Sequence, residues 1–314
     1  MQVAVIIPTY NRSALVSRAV ESVLRQTADD IEIVVVDDGS TDGTRQIIES
    51  IAAQSRFPIR YLWKPNGGCA SARNVGLRET HADAFLFLDS DDALLPEAVA
   101  SLTEVLEQAQ ADFVYSPTVE VITGRERFVL LPVSAGRPED IAVAHFFDGS
   151  VRNGAVLFRH HVLERAGLVD ESLRYNEDSD FFQRVSISFK AAYCPVATVE
   201  HYHHAGNKSS NRVAIYRAMI TSAQRILDSN PSFRRRLGAS AEKRLAQLQG
   251  NLVFALITTA RYEEAREMLR TMSGPTAVVA RIAIGLRWRW PVLAVELVRK
   301  VRRRLVRELS RFSI

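Results

Sequence analysis

Short apolar runs alternate with amphipathic segments over the first 116 residues of the chain. The apolar runs are rich in β-branched residues, which is typical of strands that are covered on both faces. They lie at Val3–Pro8, Ile31–Val36, Ile59–Trp63, Ala84–Leu88 and Asp112–Ser116. The amphipathic segments predict helices at Ser13–Gln26, Thr44–Ala53, Ala70–Glu79 and Pro96–Gln108. This alternation predicts a parallel sheet with helices on both of its faces.

The pattern changes beyond residue 117. Up to about residue 205 it is mixed, and it predicts a hairpin over Thr118–Leu131 and helices at His160–Ala166 and Asp178–Ser188. Beyond about Val213 the chain is predicted to be helical almost to its end. Within that part, Gly250–Met272 has the pattern of a helix pair that turns at residues 259–261.

Polar residues follow four of the predicted strands. These segments are Pro8-Thr9-Tyr10-Asn11, Asp37-Asp38-Gly39-Ser40, Asn66-Gly67-Gly68 and Asp89-Ser90-Asp91-Asp92. In an open parallel sheet, ligands bind beyond the carboxyl ends of the strands. A single aspartate at such a place is often only a helix cap. Four polar strand ends at one edge of a sheet instead predict a ligand site.

Asp89 and Asp91 are separated by one residue at the end of an apolar strand. Alternate residues of an extended segment point to the same side, so both carboxylates can face one point. Two such carboxylates repel each other unless a cation lies between them. Hard oxygen ligands favour Mg²⁺ or Mn²⁺, and diphosphate oxygens can fill the remaining positions. The pattern therefore predicts a divalent metal at Asp89 and Asp91.

The composition excludes several classes of protein. With 47% hydrophobic and 24% charged residues, the chain is neither disordered nor of low complexity. Its two cysteines, Cys69 and Cys194, are too far apart in the chain for a CxxC zinc site and too few for a disulfide scaffold. No apolar run reaches the roughly 18 residues of a spanning helix, and the first residues read as a strand rather than a signal peptide. We therefore expect a cytoplasmic protein.

Two nucleotide-binding motifs are missing from the expected places. No GxGxxG follows the first strand, which disfavours a dinucleotide site, and no P-loop motif occurs.

Four groups of residues occur in a fixed order along the chain. They are Ile7-Pro8-Thr9-Tyr10-Asn11, Val36-Asp37-Asp38-Gly39-Ser40, Asn66-Gly67-Gly68 with Ala72-Arg73-Asn74-x-Gly76, and Leu88-Asp89-Ser90-Asp91-Asp92. Together they resemble the motifs of family 2 glycosyltransferases over roughly residues 1–210. The resemblance implies an α/β GT-A nucleotide-diphospho-sugar transferase fold, with a Rossmann-like, mostly parallel sheet. It also implies a nucleotide-sugar half at 1–116 and an acceptor half at 117–210. The pattern of the remaining residues predicts an α-helical C-terminal region at 211–314 with a basic amphipathic tail.

The resemblance implies roles for the matching positions. The nucleotide-sugar would be bound by Pro8, Thr9, Tyr10, Asp38, Gly67, Arg73, Asp89 and Ser90. Thr9 and Asp38 would hold the base and ribose, and Arg73 would lie near the base or the diphosphate. Asp91 would be the direct metal ligand, and Asp89 would bind the ribose or the metal. Asp92 would lie in the surrounding shell.

The acidic pair Glu177-Asp178 resembles the acceptor site of that family, in which the aspartate is the catalytic base. Displacement at an anomeric carbon needs a base that takes the proton of the acceptor hydroxyl. It also needs a cation that stabilises the departing nucleoside diphosphate. Asp178 would supply the first and the metal at Asp91 the second. The alternative is that both acids only stabilise a helix N-terminus.

Four further residues are candidates without a settled role. Arg184 follows Asp178 on the same predicted helix and pairs either with an acid or phosphate, or with solvent. His201, His203 and the adjacent His204 follow a strand-like run, where the resemblance places a basic residue or histidine near the diphosphate. One of these histidines could complete the metal shell, or all three could be ordinary surface residues. Their spacing does not choose among them, and we retain His201 and His203 as candidates.

The end of the chain is strongly basic. Residues 281–314 contain ten Lys and Arg and two Glu, a net charge of +8, whereas the whole chain carries +4. From Trp290 onward apolar residues recur every three or four positions, with arginines between them. This pattern, with tryptophans at its entry, is typical of a helix that lies on an anionic membrane surface. A helix packed on the protein body is the main alternative, and we expect no nucleic-acid binding.

The sequence thus predicts an inverting, metal-dependent glycosyltransferase that uses Mn²⁺ or Mg²⁺. It would move a sugar from a nucleotide-diphosphate donor to a saccharide or lipid-linked saccharide in cell-surface polysaccharide or lipopolysaccharide synthesis. We expect it in the cytoplasm or peripherally on the inner face of the membrane, with contact through residues 288–314. The alternative is a catalytically weak nucleotide-sugar-binding module associated with the membrane. A nucleotidyltransferase is disfavoured because its usual Gly-rich, basic first loop is missing.

Overall fold

The computed structural model describes residues 1–122, 127–132, 134–149, 151–204 and 211–272. The chain divides into two compact units, Met1–Asn207 and Lys208–Ile314. The strands of the first unit are β1 (Val3–Thr9), β2 (Ile31–Asp37), β3 (Ile59–Trp63), β4 (Ala84–Phe87), β5 (Ala93–Leu94), β6 (Phe113–Tyr115), β7 (Thr118–Ile122), β8 (Phe128–Leu130), β9 (Val156–Arg159), β10 (Ala191–Tyr193) and β11 (Val199–His203). Its α-helices are α1 (Ser13–Leu24), α2 (Thr44–Ala52), α3 (Cys69–Glu79), α4 (Ala98–Gln108), α5 (Ile141–Asp148), α6 (Val162–Ala166) and α7 (Glu177–Ser188).

Every strand and helix predicted in the first 116 residues is present, with ends that differ by a few residues. The predicted hairpin is the antiparallel pair β7–β8, and both helices predicted between 160 and 188 are present as α6 and α7. The sequence pattern missed β5, β9, β10 and α5. The three strands are two to four residues long, which is too short for a periodicity to identify them.

Seven strands form the main sheet, in the order β10-β6-β9-β4-β1-β2-β3. All neighbours are parallel except β9, which runs antiparallel to β4 and β6. The expected mostly parallel sheet is confirmed, and its one antiparallel strand, β9, lies beyond the first 116 residues from which the parallel sheet was predicted. Four strands form a second sheet, in the order β5-β11-β7-β8.

The continuous apolar runs of β1 and β2 are explained by burial on both faces of the main sheet. All seven residues of β1 are buried. Val3, Val5 and Ile7 belong to one hydrophobic cluster, and Ala4 and Ile6 belong to the cluster on the other side. Alternate side chains of a strand point to opposite faces, so a strand between two helical layers needs apolar residues at every position.

Gly76 lets α3 lie close to the sheet. A Cβ added at this position would clash with Cγ2 of Ile6, which is fully buried and has no room to move. We expect Gly76→Ala to lower the free energy of unfolding by about 1–2 kcal/mol, because overpacking outweighs the better helix propensity of alanine. Gly43→Ala is the matched control, since its Cβ would meet nothing within 4 Å. Urea denaturation of both variants measures the difference, and equal stabilities would contradict the packing argument.

The second unit is helical in its described part. It contains α8 (Arg212–Ser229), α9 (Pro231–Leu237), α10 (Ala239–Thr258) and α11 (Tyr262–Thr271). The predicted turn at 259–261 is confirmed, and Leu252, Leu256 and Leu269 lie in the hydrophobic cluster of this unit. None of the helices described up to residue 272 is long and apolar enough to cross a membrane. The predicted basic segment 288–314 lies outside the described residues.

Candidate active site

The polar strand ends lie at one edge of the main sheet, as the sequence predicts. β1 pairs in parallel with β2 and β4, and Thr9 is in register with Asp37. The backbone N–H of Asp38 donates to the carbonyl of Thr9 at 2.9 Å. Asp89 follows β4, two residues beyond its last residue, Phe87. Thr9, Asp38 and Asp89 therefore come to the same edge from three adjacent strands.

Asn11 joins the first two strand ends. The backbone φ of Asn11 is 49°, in the left-handed region that asparagine tolerates better than most residues. Its Oδ1 accepts a hydrogen bond from the backbone of Thr41 at 2.9 Å, and its own N–H donates to Oγ of Ser40 at 2.8 Å. The loops after β1 and β2 are thereby fixed to each other.

Asp38 orders the glycine loop before α3. Its carboxylate is buried and accepts from the backbone of Gly67 at 2.9 Å and of Gly68 at 2.7 Å. The ammonium of Lys64 lies 2.6 Å from the same carboxylate. Gly68 has a φ of 93°, which only glycine adopts readily. Both oxygens of Asp38 thus have protein partners in this structure.

Thr9 is the clearest unmet hydrogen-bonding group at this edge. The residue is 4% exposed, and its Oγ1 has no hydrogen-bond partner among the described residues. Buried hydroxyls are nearly always bonded, because an unpaired one costs free energy. Next to it, Pro8 is buried within β1, whereas Tyr10 is 48% exposed. A ligand at this edge would find both an unpaired hydroxyl and an exposed ring.

Asp91 is held as a carboxylate by two basic side chains. Its Oδ2 pairs with the guanidinium of Arg12 and lies 2.9 Å from Nε2 of His204. Burial alone would raise the pKa of Asp91, but the hydrogen bond and charge of Arg12, with the hydrogen bond of His204, lower the pKa below its ordinary value. Arg18 donates to the backbone carbonyl of the same residue.

His204 is thus the histidine bonded to Asp91, a distinction that the spacing of the three histidines does not reveal. His201 instead bonds Asp92, with 3.1 Å between Nδ1 and Oδ2. His203 bonds Glu120, a residue that the sequence pattern did not single out, with 2.5 Å between Nε2 and Oε2.

Asp92 and Ser90, in the same loop after β4, are both buried. Burial raises the pKa of Asp92, and the hydrogen bond from His201 opposes that shift. Asp92 also accepts the backbone N–H of Tyr202 at 3.0 Å. It therefore ties the loop after β4 to β11.

Arg73 joins the acidic loop after β4 to the start of α7. Its side chain is 3% exposed, and its guanidinium lies 2.9 Å from Asp89 and 3.0 Å from Glu177. A buried carboxylate needs such a partner, because an unpaired buried charge is very costly. The carboxylate of Glu177 therefore forms an ion pair with Arg73. The resemblance placed Arg73 near the base or diphosphate, and the ion pairs described for Arg73 are with these two acids.

The side-chain amide of Asn153 bridges Asp178 and Asp89. Nδ2 of Asn153 lies 3.2 Å from both carboxylate oxygens of Asp89 and 3.4 Å from Oδ2 of Asp178. Asp178 is half-buried, and its other oxygen accepts the backbone N–H of Ser179 at 2.8 Å. α7 begins directly after Asn176, whose φ is 63°, so both acids lie in its first turn. Asn153 belongs to none of the sequence motifs, and only its position in the fold shows that it lies at this site.

Arg184 is not among these side chains. Its guanidinium bonds Asp180 at 2.9 Å and donates to the carbonyls of Ala166 and Leu168. These contacts link α7 to the last residue of α6 and to the segment that follows it. Of the two alternatives left open by the sequence, pairing with an acid is the one observed.

Comparison with known proteins identifies the family. The family model described as glycosyl transferase family 2 matches residues 4–160, half of the chain. Glycosyltransferase RT0329 of Rickettsia typhi is 30% identical over 225 residues, which cover 69% of this chain and 70% of that protein. Glycosyltransferase EpsJ of Bacillus subtilis is 34% identical over 187 residues, which cover 57% of this chain and 54% of that protein. The match therefore spans about half the length of EpsJ.

Two solved structures share the fold. TarS 1-349 of S. aureus in complex with UDP-GlcNAc has a TM-score of 0.65 at 21% identity, covering 97% of this chain and 92% of that one. Mannosyltransferase PcManGT of Pyrobaculum calidifontis in complex with GDP-Man and Mn²⁺ has a TM-score of 0.60 at 19% identity, covering 95% and 84%. The predicted GT-A fold is confirmed. With its family model, its relatives and its fold in agreement, this chain belongs to glycosyl transferase family 2.

Proposed function

We propose that this chain is an inverting, metal-dependent glycosyltransferase that transfers a sugar from a nucleotide-diphosphate donor to a saccharide or lipid-linked saccharide. The observation that carries the proposal is the Asn153 amide, which lies within 3.4 Å of both Asp89 and Asp178. It brings the acidic loop after β4 next to a half-buried carboxylate at the start of α7. A nucleotide-sugar bound at the acidic loop after β4 would place its sugar next to an acceptor hydroxyl activated by Asp178.

The donor side is formed by residues 1–116. The unpaired hydroxyl of Thr9, the exposed ring of Tyr10 and the loop ordered by Asp38 support a nucleotide site at this edge. Two proteins of the same fold are known in complex with UDP-GlcNAc and with GDP-Man. We propose that Thr9 donates or accepts at the base or ribose. Asp38 acts through the Gly67–Gly68 loop as much as by direct contact.

The side chains of the acidic loop after β4 are suitable ligands for a divalent cation. Asp91 is kept ionised, Asp89 offers a second carboxylate in the same loop, and His204 lies beside Asp91. Oxygen ligands of this kind suit Mn²⁺ or Mg²⁺. We propose that Asp91 and Asp89 hold such an ion, with Arg12 as the counter-charge of Asp91 in its absence. When bound, the ion would offset the negative charge that develops on the departing diphosphate.

We propose Asp178 as the catalytic base of the acceptor half, residues 117–210. Its Oδ2 would take the proton of the acceptor hydroxyl while that oxygen forms a bond to the anomeric carbon of the donor. The bond between this carbon and the diphosphate oxygen breaks in the same step, and its electrons leave with the nucleoside diphosphate. One displacement from the opposite face inverts the configuration. Glu177 is less suited to this role, because its carboxylate already pairs with Arg73.

A donor panel tests the proposal directly. UDP- and GDP-sugars are first screened by thermal shift, with and without Mn²⁺, and hydrolysis of each stabilising donor is then followed. We expect a donor that raises the melting temperature much more with the metal than without it and that is slowly hydrolysed. Stabilisation without any hydrolysis or transfer would favour the alternative, a nucleotide-sugar-binding module. No stabilisation by any donor would contradict both.

We further propose that the protein acts peripherally at the cytoplasmic membrane face in surface-polysaccharide synthesis, with residues 288–314 as the contact. The net charge of +8 over residues 281–314 supports this, because each basic residue near an anionic leaflet contributes about 1 kcal/mol of binding.

Truncation before Trp288 tests the contact. We expect the shortened chain to leave anionic vesicles in a flotation assay while it hydrolyses the donor at the rate of the full chain. Neutral vesicles serve as the control for non-specific adsorption. Aggregation or loss of all activity would instead favour a helix packed on the body.

A further inference from the structure

Glu120, His201 and His203 form a compact group on two strands of the second sheet. β7 and β11 are parallel, with Glu120 in register with His201, and His203 lies two residues further along the same face of β11. The imidazole rings are 4.9 Å apart and nearly perpendicular, at 82°. One donor atom from each of the three residues lies within 4.8 Å of those of the other two.

The group combines a buried negative charge with access from solvent. Glu120 is 3% exposed, whereas the side chain of His203 is 41% exposed. Besides His203, the carboxylate of Glu120 has Arg152 at 3.9 Å and the neutral hydroxyl of Thr118 at 3.1 Å. A buried carboxylate in such surroundings favours a further cation.

Asp92 orients one of the two imidazoles. It lies 3.1 Å from Nδ1 of His201, so a proton on Nδ1 leaves Nε2 as the lone-pair donor of this ring. Histidines that bind metals nearly always donate their other N–H to a carboxylate or carbonyl in this way. The Asp92–His201 pair therefore has the arrangement that orients histidine ligands in metal sites.

We propose that Glu120, His201 and His203 bind one transition-metal ion of the Zn²⁺ class. Two imidazoles and one carboxylate are a known zinc donor set that leaves a fourth position for water. Mg²⁺ and Ca²⁺ prefer oxygen ligands alone. The site is distinct from the one at Asp91, whose side chain bonds Arg12 and His204. It does not depend on the proposed transferase activity.

Binding requires only a small rearrangement. In tetrahedral zinc sites the donor atoms lie roughly 3.4 Å apart, so the 2.5 Å between His203 and Glu120 would widen by about 1 Å. The ion would clamp β11 to β7. Because His204 follows β11 directly and bonds Asp91, the clamp would also fix the position of this histidine.

Titration of the full chain with Co²⁺ tests the site, since Co²⁺ replaces Zn²⁺ and gives visible absorption bands. Excess Mg²⁺ and UDP are present to occupy Asp89 and Asp91. We expect one Co²⁺ per chain, and at least about tenfold weaker binding in both Glu120→Gln and His203→Ala. His161→Ala is the matched control, because that half-exposed histidine bonds Asp112 instead. It should bind Co²⁺ like the unchanged chain.

Three outcomes would overturn the proposal. They are the absence of Co²⁺ bands in the unchanged chain, full affinity in His203→Ala, and loss of the bands in Asp91→Ala. The last result would assign the ion to the acidic loop after β4. Circular dichroism checks that each variant is folded, and the partly exposed His203 keeps the test valid if Glu120→Gln does not fold.

Discussion

Replacing Asp178 by asparagine is expected to abolish sugar transfer while leaving the donor bound. Losing general-base catalysis typically slows a reaction by about 10²–10⁴-fold. Asparagine has nearly the same shape, so the start of α7 should keep its conformation. Donor affinity should change by no more than a few-fold, because we assign the nucleotide to Thr9, Asp38 and the acidic loop. Steady-state transfer rates and calorimetric donor binding measure the two effects separately.

Glu177→Gln distinguishes the two neighbouring acids. Glu177 is buried against Arg73, so losing its charge should lower the free energy of unfolding by about 3 kcal/mol. Asp178→Asn should leave the stability nearly unchanged. Asp29→Asn, an exposed change before β2 at the opposite edge of the sheet, is the control. If Asp178→Asn transfers at the normal rate and a Glu177→Gln variant that remains folded does not, the base is Glu177. If both transfer, the base lies elsewhere.

Replacing Asp91 by alanine is expected to remove the effect of Mn²⁺ on nucleotide binding. Losing even a residue that only orients a metal ligand costs 10–100-fold in metal affinity. Losing the proposed ligand itself should therefore weaken Mn²⁺-dependent binding of UDP or GDP at least about 100-fold. Calorimetry with each nucleotide, with and without Mn²⁺, measures this.

The control for this variant is Asp29→Ala, which should bind the nucleotide as the unchanged chain does. A melting curve guards against a trivial loss of structure, since Arg12 and His204 lose a shared partner in Asp91→Ala. Mn²⁺-dependent binding of normal strength in Asp91→Ala would mean that the metal is held elsewhere. Weak binding without Mn²⁺ should persist in both variants.

The three neighbouring histidines show what a sequence pattern predicts about a site and what it leaves open. The structure brings His201 to Asp92 and His204 to Asp91. From the family resemblance, the sequence predicted only that one of His201, His203 and His204 could lie near the diphosphate or complete the metal shell. It did not assign a histidine to each acid. That assignment depends on the pairing of β11 with β5, which directly follows Asp92, and with β7, and on the direction of each side chain, none of which a local pattern contains.

The sequence by itself determined the order of strands and helices in the first 116 residues and the edge at which Thr9, Asp38 and Asp89 meet. Hydrophobic periodicity is a local property, and parallel strands bring their carboxyl ends together whatever the loops do. The tertiary structure alone decided the antiparallel β9, the pairing of Arg73 with Glu177 and the bridging place of Asn153. Arg73 and Glu177 are 104 residues apart, and Asn153 is 64 residues from Asp89. Contacts over such separations depend on the packing of the whole unit, because a buried charge must pair with an opposite charge and the fold decides which one lies next to it.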